Sequence, residues 1–305
     1  MSIVVAISPS SFADGDDTPR RLLEEASVQI KENPYGRRLT EAEIIEHLEG
    51  VDGLLAGLEP LNRKVIASAA PRLKAIARVG IGVTNVDFEA AEEFGVKVSN
   101  TPDAPVTAVA ELTLCALLAL CRRLVPTNAG MHAGEWPKAI GFGLSRAKVL
   151  LIGYGRIGQR VGALLRAFGA ELLVYDPCLD SGTLQHAERL RTLAEGLPQA
   201  DIISLHANGE DTILEADAFE MMRDGVILLN SARGALVDED ALVAALDSGK
   251  VAGAWFDAFW EEPYQGRLTQ YEQVLLTPHV GTYTYQCRRD METVAVRHLL
   301  RDLGL

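Results

Sequence analysis

The sequence predicts an α/β protein of two doubly wound parallel-sheet domains, of Rossmann or flavodoxin-like type, with a cleft between them. Short β-branched runs alternate with helical patterns along nearly the whole chain. One strand pattern, ending at Ile152, runs straight into a glycine-rich turn and a helix. A length of 305 residues suits two domains better than one.

The first series of expected strands covers residues 3–7, 28–30, 53–56, 73–77 and 96–98, each a short apolar run closed by turn or polar residues. Thr40 and Glu43 have capping-box spacing ahead of the helix at 44–48. Thr18-Pro19 offers an N-cap followed by a first-turn proline. The second series covers 149–152, 172–175, 202–205, 226–230, 251–255 and 274–276. Two long apolar helices, about 104–122 and about 283–303, flank it, so the chain is expected to cross between domains near 100 and 282. Residues 1–100 plus 283–305 then form one domain and 101–282 the other.

Lys and Arg number 29 against 42 Asp and Glu, a formal net charge of −13 that leaves no basic surface for a phosphate backbone. No nucleic acid and no membrane partner is expected. The N-terminal apolar run lacks a basic n-region, and the run at 106–121 is interrupted by Glu111 and too short to span about 30 Å of hydrocarbon. Cys115, Cys121, Cys178 and Cys287 have neither metal-ligand nor disulfide-framework spacing, so a reduced, cytoplasmic protein without a metal is the expectation.

The turn Gly153-Tyr154-Gly155-Arg156-Ile157-Gly158 lies between a strand and a helix, the context in which this spacing binds a dinucleotide. Gly153 permits the tight turn, Gly155 the approach of a pyrophosphate, and Gly158 close packing of the helix, whose N-terminus faces the phosphates. Asp176 ends the next strand eighteen residues beyond Gly158, where a carboxylate accepts ribose hydroxyls and repels a 2′-phosphate. NAD is the expected cofactor.

Three later segments, around Arg233, Glu262 and His279, fall at expected strand ends, and carboxyl ends of parallel strands converge on one ligand crevice. These three side chains make a set for reducing a 2-oxo acid. Arg233 can grip a carboxylate and polarise the neighbouring carbonyl, and His279 can deliver a proton to its oxygen. Glu262 can fix one tautomer of His279 and favour its charged form.

In order, Arg78-Val79-Gly80-Ile81-Gly82 through Asp87, Asn100-Thr101-Pro102, the glycine turn, Ser231-Ala232-Arg233-Gly234, Asp257 with Glu262-Pro263, and Pro278-His279 resemble the D-isomer-specific 2-hydroxyacid dehydrogenases, nearest their phosphoglycerate dehydrogenase-like members. The resemblance covers roughly residues 35–285. It implies that Arg233, Glu262 and His279 are catalytic, with Glu262 rather than Glu261 as the acid. It implies that backbone N–H groups of the 79–82 loop hold the substrate carboxylate, that Asp257 lies near the nicotinamide, and that the protein is a homodimer built through the cofactor domain. On this reading Gly153, Gly155, Arg156, Ile157, Gly158, Asp176, His206, Ser231, Ala232, Asp257 and Gly281 bind the cofactor. Arg78, Val79, Gly80, Ile81 and Asn100 bind the substrate, with Arg78 suggesting a second anionic group as in phosphoglycerate.

The sequence departs from the family at Thr84, at Asn208 after His206-Ala207, and at the bulky Thr282-Tyr283-Thr284 turn; Tyr283 and Trp260 stand close in sequence to His279 and Glu262. His47, His132, His186 and His298 have no metal spacing and are expected on surfaces or helix faces. Trp136 reads as a loop packing anchor, or as a cover for the site in a dimer. Phosphite oxidation by the same Arg, Glu and His, and a non-enzymatic cofactor-sensing role, are the alternative functions.

Overall fold

The computed structural model describes residues 2–179, 184 and 187–305. It divides into two compact units, Met1–Pro105 with Thr282–Leu305, and Val106–Gly281. Residues 101–105, expected with the second unit, stay with the first because Thr101 is bonded into it, its N–H donating to the Gly80 carbonyl and its hydroxyl accepting from the Gly80 N–H.

The first unit is built from β1 (Val4–Ile7), α1 (Thr18–Glu25), β2 (Gln29–Lys31), α2 (Glu41–His47), β3 (Gly53–Ala56), α3 (Arg63–Ala69), β4 (Ala75–Arg78), α4 (Phe88–Glu93) and β5 (Lys97–Ser99), closed by a C-terminal helix, Tyr285–Leu303. The parallel sheet has the order β2-β1-β3-β4-β5, so the winding reverses between β1 and β3. One face packs on Ile44, Val65 and Ile66; the other packs on Leu23 and on Met291, Val296 and Leu299 of the C-terminal helix. The Thr40–Glu43 capping box forms in full, worth about 1 kcal/mol. At α1 the expectation fails: Asp17 is the N-cap and Thr18 already lies in the first turn, its N–H donating 2.8 Å to Asp16 Oδ1.

The second unit contains α5 (Val106–Cys121), α6 (Leu124–His132), β6 (Lys148–Ile152), α7 (Arg156–Ala167), β7 (Glu171–Tyr175), β8 (Glu188–Arg189), α8 (Leu193–Gly196), β9 (Ile202–Leu205), α9 (Ala216–Met221), β10 (Val226–Asn230), α10 (Glu239–Asp247), β11 (Val251–Phe256) and β12 (Val274–Leu276). Its parallel sheet runs β12-β11-β10-β9-β6-β7-β8 and reverses between β6 and β9. Ile152, Ile203 and Leu228 feed one core and Leu151, Ile202 and Trp255 the other, which is why these strands read as continuous apolar runs. The long helix expected at 104–122 starts at Val106, and a second helix, α6, follows a left-handed Arg123 and buries none of its residues.

Candidate active site

The glycine turn lies at the winding reversal of the second unit. Gly153 has φ +88°, and a Cβ there would collide with the backbone of His206 and Ala207, so the loops after β6 and β9 can touch only because it is glycine. Gly158 packs against the Gly153 carbonyl, whereas a Cβ on Gly155 would meet nothing within 4 Å. The N-terminus of α7 carries no side-chain cap. A tight turn, open space above it and uncapped helical N–H groups fit a dinucleotide pyrophosphate. Arg156 and Ile157 open that helix. The Asp176 carboxylate accepts from the N–H of Tyr154 at 2.7 Å and of Cys178 at 2.9 Å, which ties the end of β7 to the glycine turn. Beside it lies a hollow of about 500 Å³ lined also by Arg189 and Arg191. Sequence reasoning missed these arginines, because β8 is only two residues long and leaves no strand pattern to place them.

Arg233 follows β10 and is aimed by Asn230, a fully buried residue that sequence reasoning did not single out. Asn230 accepts from Ala232 N–H at 3.0 Å and donates to the Arg233 carbonyl at 2.7 Å, closing the turn 230–233 from inside. The Arg233 guanidinium donates 2.7 Å to the Ala232 carbonyl. Gly234 lies against the backbone of Phe259 and Trp260, a contact no Cβ would allow, and so brings the Arg233 turn onto the segment that carries Glu262.

Glu262 and His279 meet directly. His279 Nδ1 lies 2.9 and 3.0 Å from the two carboxylate oxygens, and both side chains remain about a third exposed, 37% and 26%. Burial pushes the Glu262 carboxyl up, but the hydrogen bond and charge of His279, the Phe259 N–H and the charge of Arg233 outweigh it and hold it below the usual carboxylate range. The carboxylate fixes Nδ1 as the protonated nitrogen, so Nε2 is the atom left to exchange a proton.

His279 adopts φ +54°, a left-handed conformation that costs roughly 1 kcal/mol or more in a non-glycine residue. Buried Asp257 offsets that cost. Its carboxylate accepts from Thr277 Oγ1 at 2.6 Å, Val280 N–H at 2.9 Å and Gly281 N–H at 2.8 Å, and Thr277 in turn accepts from Trp255 Nε1 at 3.0 Å. Both oxygens are thus engaged in holding the turn around His279, where the resemblance pointed to the nicotinamide.

His206 takes a different part. Ser204 Oγ lies 2.8 Å from Nε2 and Ser231 Oγ 3.4 Å from Nδ1, and burial pushes the imidazole down to about 4. Trp260 donates 2.8 Å to the Val237 carbonyl and stacks on Phe256. Trp136 is 74% exposed, so it is not an anchor within this chain. His47, the last residue of α2, lies on that helix's buried face with its Nε2 3.1 Å from the Ile7 carbonyl, while His132 is exposed and His186 lies outside the described residues. Among the described residues, no cluster of His, Cys, Asp or Glu could hold a metal ion and no helix is long and apolar enough to cross a membrane.

In the first unit, Tyr283 is exposed beneath the Arg288 guanidinium. Of the 79–82 loop there, Val79 N–H bonds the Ala56 carbonyl and Gly80 N–H bonds Thr101 Oγ1, so these two amides are committed internally. Asn100 Nδ2 donates 2.8 Å to the Ile81 carbonyl and holds that loop, and Arg78 is buried at its base. Thr101, also buried, has no motif of its own beyond the Asn100-Thr101-Pro102 run.

Residues 114–281 match the family model described as the NAD binding domain of D-isomer specific 2-hydroxyacid dehydrogenases. The chain is 34% identical over 290 residues to rat D-3-phosphoglycerate dehydrogenase, covering 92% of this chain but only 54% of that longer protein. It is 34% identical to the hydroxypyruvate reductase of Thermotoga maritima, with 88% and 90% of the two chains covered. A crystal structure of a protein from Thermus thermophilus superimposes with a TM-score of 0.91 at 34% identity, covering 99% and 97% of the chains. The chain therefore belongs to the D-isomer specific 2-hydroxyacid dehydrogenases, with NAD as the cofactor of its second unit.

Proposed function

We propose that the protein interconverts a small 2-oxo acid and its D-2-hydroxy acid with NAD, which when bound supplies or accepts the hydride at C2. The observation that carries this reading is the His279–Glu262 pair, joined through Nδ1 at a strand edge of the NAD-binding unit with Arg233 on the adjoining turn. In reduction, Arg233 holds the substrate's carboxylate and carbonyl through donors beyond the one engaged with Ala232. His279 releases its Nε2 proton to the carbonyl oxygen, and Glu262 holds the ring in place and favours its protonated form before the transfer. Asp257, Thr277 and Asn230 act on the substrate only through the turns that they fix.

Steady-state oxidation of NADH with a panel of 2-oxo acids tests the reading; turnover of at least one is expected. Reduction of NAD by phosphite with no 2-oxo acid turnover would replace it. We also place the protein in the cytoplasm as a homodimer built through its second unit. Leu124, Trp136 and Ile140, which are 60%, 74% and 100% exposed, give that unit apolar surface for a second copy. Light scattering that returned only the monomer mass would remove the dimer.

A further inference from the structure

Two turns of the second unit carry the candidate chemistry, one after β10 with Arg233 and one after β11 with Glu262. Downstream of each, the chain is tied to the other. Gly234 lies against the backbone of Phe259 and Trp260, and three residues on the Val237 carbonyl accepts 2.8 Å from Trp260 Nε1. Glu239, the first residue of α10, accepts 2.6 Å from the Tyr264 hydroxyl, and Asp240 pairs with Arg267. These ties follow the same order along both segments and so fix one register between the two turns. Tyr264 is the tie that also reaches toward Glu262. Its hydroxyl accepts from the Leu268 N–H at 3.1 Å, and its ring stacks on Phe259 with centroids 4.6 Å apart and planes at 18°. The N–H of that same Phe259 donates 3.2 Å to Glu262 Oε1.

Resting on the function proposed above, we infer that Tyr264 is a positioning residue: its phenol, bonded to Glu239 and stacked on Phe259, holds the Glu262 carboxylate against His279 and in register with Arg233. A carboxylate steadies an imidazole and favours its charged form only while it stays within hydrogen-bond reach. Glu262 sits on an irregular turn whose backbone reaches it through the Phe259 N–H. That bond is only as steady as Phe259, which is held by the Tyr264 ring and by the close approach of Gly234. The ring in turn is fastened by its hydroxyl, which donates to a carboxylate, and a hydrogen bond to a charged acceptor is stronger than one between neutral groups. Burial and the Glu239 carboxylate push the phenol up to about 12, so the tie persists across the range in which a histidine titrates.

Tyr264→Phe keeps the ring on Phe259 and removes the bonds to Glu239 and Leu268. With the 2-oxo acid that the wild-type protein turns over fastest, kcat should fall about tenfold while the NADH dissociation constant changes little. The limb of the pH–rate profile on which reduction is lost as pH rises should move down by about half a unit, because a less firmly held Glu262 favours the charged ring less. Glu239→Ala breaks the same tie from α10, without touching the loop of Glu262, and should show both effects; Glu239→Gln, which still offers the phenol an acceptor, should lose less. Since one bond is broken in each, Tyr264→Phe with Glu239→Ala should cost no more than Tyr264→Phe alone. A folded Tyr264→Phe protein with wild-type kcat and pH limb, a weakened NADH affinity at constant kcat, or losses that multiply in the double variant would each overturn the inference while leaving the proposed function standing. Absence of turnover by the wild-type protein with every 2-oxo acid would remove both.

Discussion

Two histidines stand at carboxyl ends of strands in the same seven-stranded sheet, and they differ in everything but residue type. His279, beyond β12, is partly exposed and shares its Nδ1 with both oxygens of a carboxylate. His206, directly after β9, sits between two serine hydroxyls with burial pushing it down to about 4. A hydroxyl can donate or accept, so it satisfies a neutral ring without compensating a charged one. A carboxylate compensates a charged ring. On the function proposed above, partner chemistry rather than the presence of an imidazole at the sheet edge separates the proton carrier from the other histidine.

The largest effect should come from removing the carrier. His279→Ala should lower kcat for 2-oxo acid reduction by about 10²–10⁴ while NADH binding, followed by its fluorescence, changes little. His206→Asn should keep turnover within several-fold. Equal losses in the two variants would break the distinction.

Asp257→Asn is expected next in size. The amide retains one acceptor oxygen but sets its own donors against the N–H and hydroxyl groups that hold the His279 turn. A small displacement of a proton donor is costly, so kcat should fall about 10–100-fold with the NADH dissociation constant nearly unchanged. A weakened NADH affinity at constant kcat would instead assign Asp257 to the nicotinamide, as the resemblance implied.

Glu262→Gln sharpens the comparison by giving His279 a neutral partner like those of His206. Without the opposing carboxylate the charged ring is less favoured. The limb of the pH–rate profile on which reduction is lost as pH rises should move down by about one unit. A profile superimposable on the wild type would remove Glu262 from the proton path.

How much of this was legible in the sequence follows from which contacts are local. The strands 53–56, 202–205 and 226–230 match their observed bounds, because burial on both faces makes them continuous apolar runs between turn residues. Helix α6 was missed because it has no buried face, and hence no periodic apolar stripe. The glycine turn and the segments with Arg233, Glu262 and His279 could be read because each is contiguous and ordered along the chain. Asn230 was visible only as the last residue of the strand 226–230, since its work on Ala232 and Arg233 depends on a buried amide pointing inward. Glu59 carried no signal at all, because its bond to Ser8 depends on the pairing of β1 with β3.

The smallest effect is on stability, and it isolates His206. A histidine whose ionisation is depressed by folding contributes fully above the unfolded value of 6.5, and loses that contribution as pH falls from 6.5 toward about 4, because the unfolded chain takes up the proton first. The slope should amount to at most about 3 kcal/mol across that window. His47, also depressed by burial, adds a slope of the same sign, whereas Glu59 and Glu292, raised by burial, run the other way as they approach protonation. The Glu262 carboxyl, held low, gives up its contribution only below its ordinary value of 4.5. Subtracting the urea-unfolding free energies of His206→Asn from those of the wild type at each pH cancels these shared terms. The difference should shrink steadily from pH 7 to pH 4.5. A difference independent of pH would mean that His206 is charged as readily in the fold as outside it, and that the two hydroxyls do not set it apart from His279.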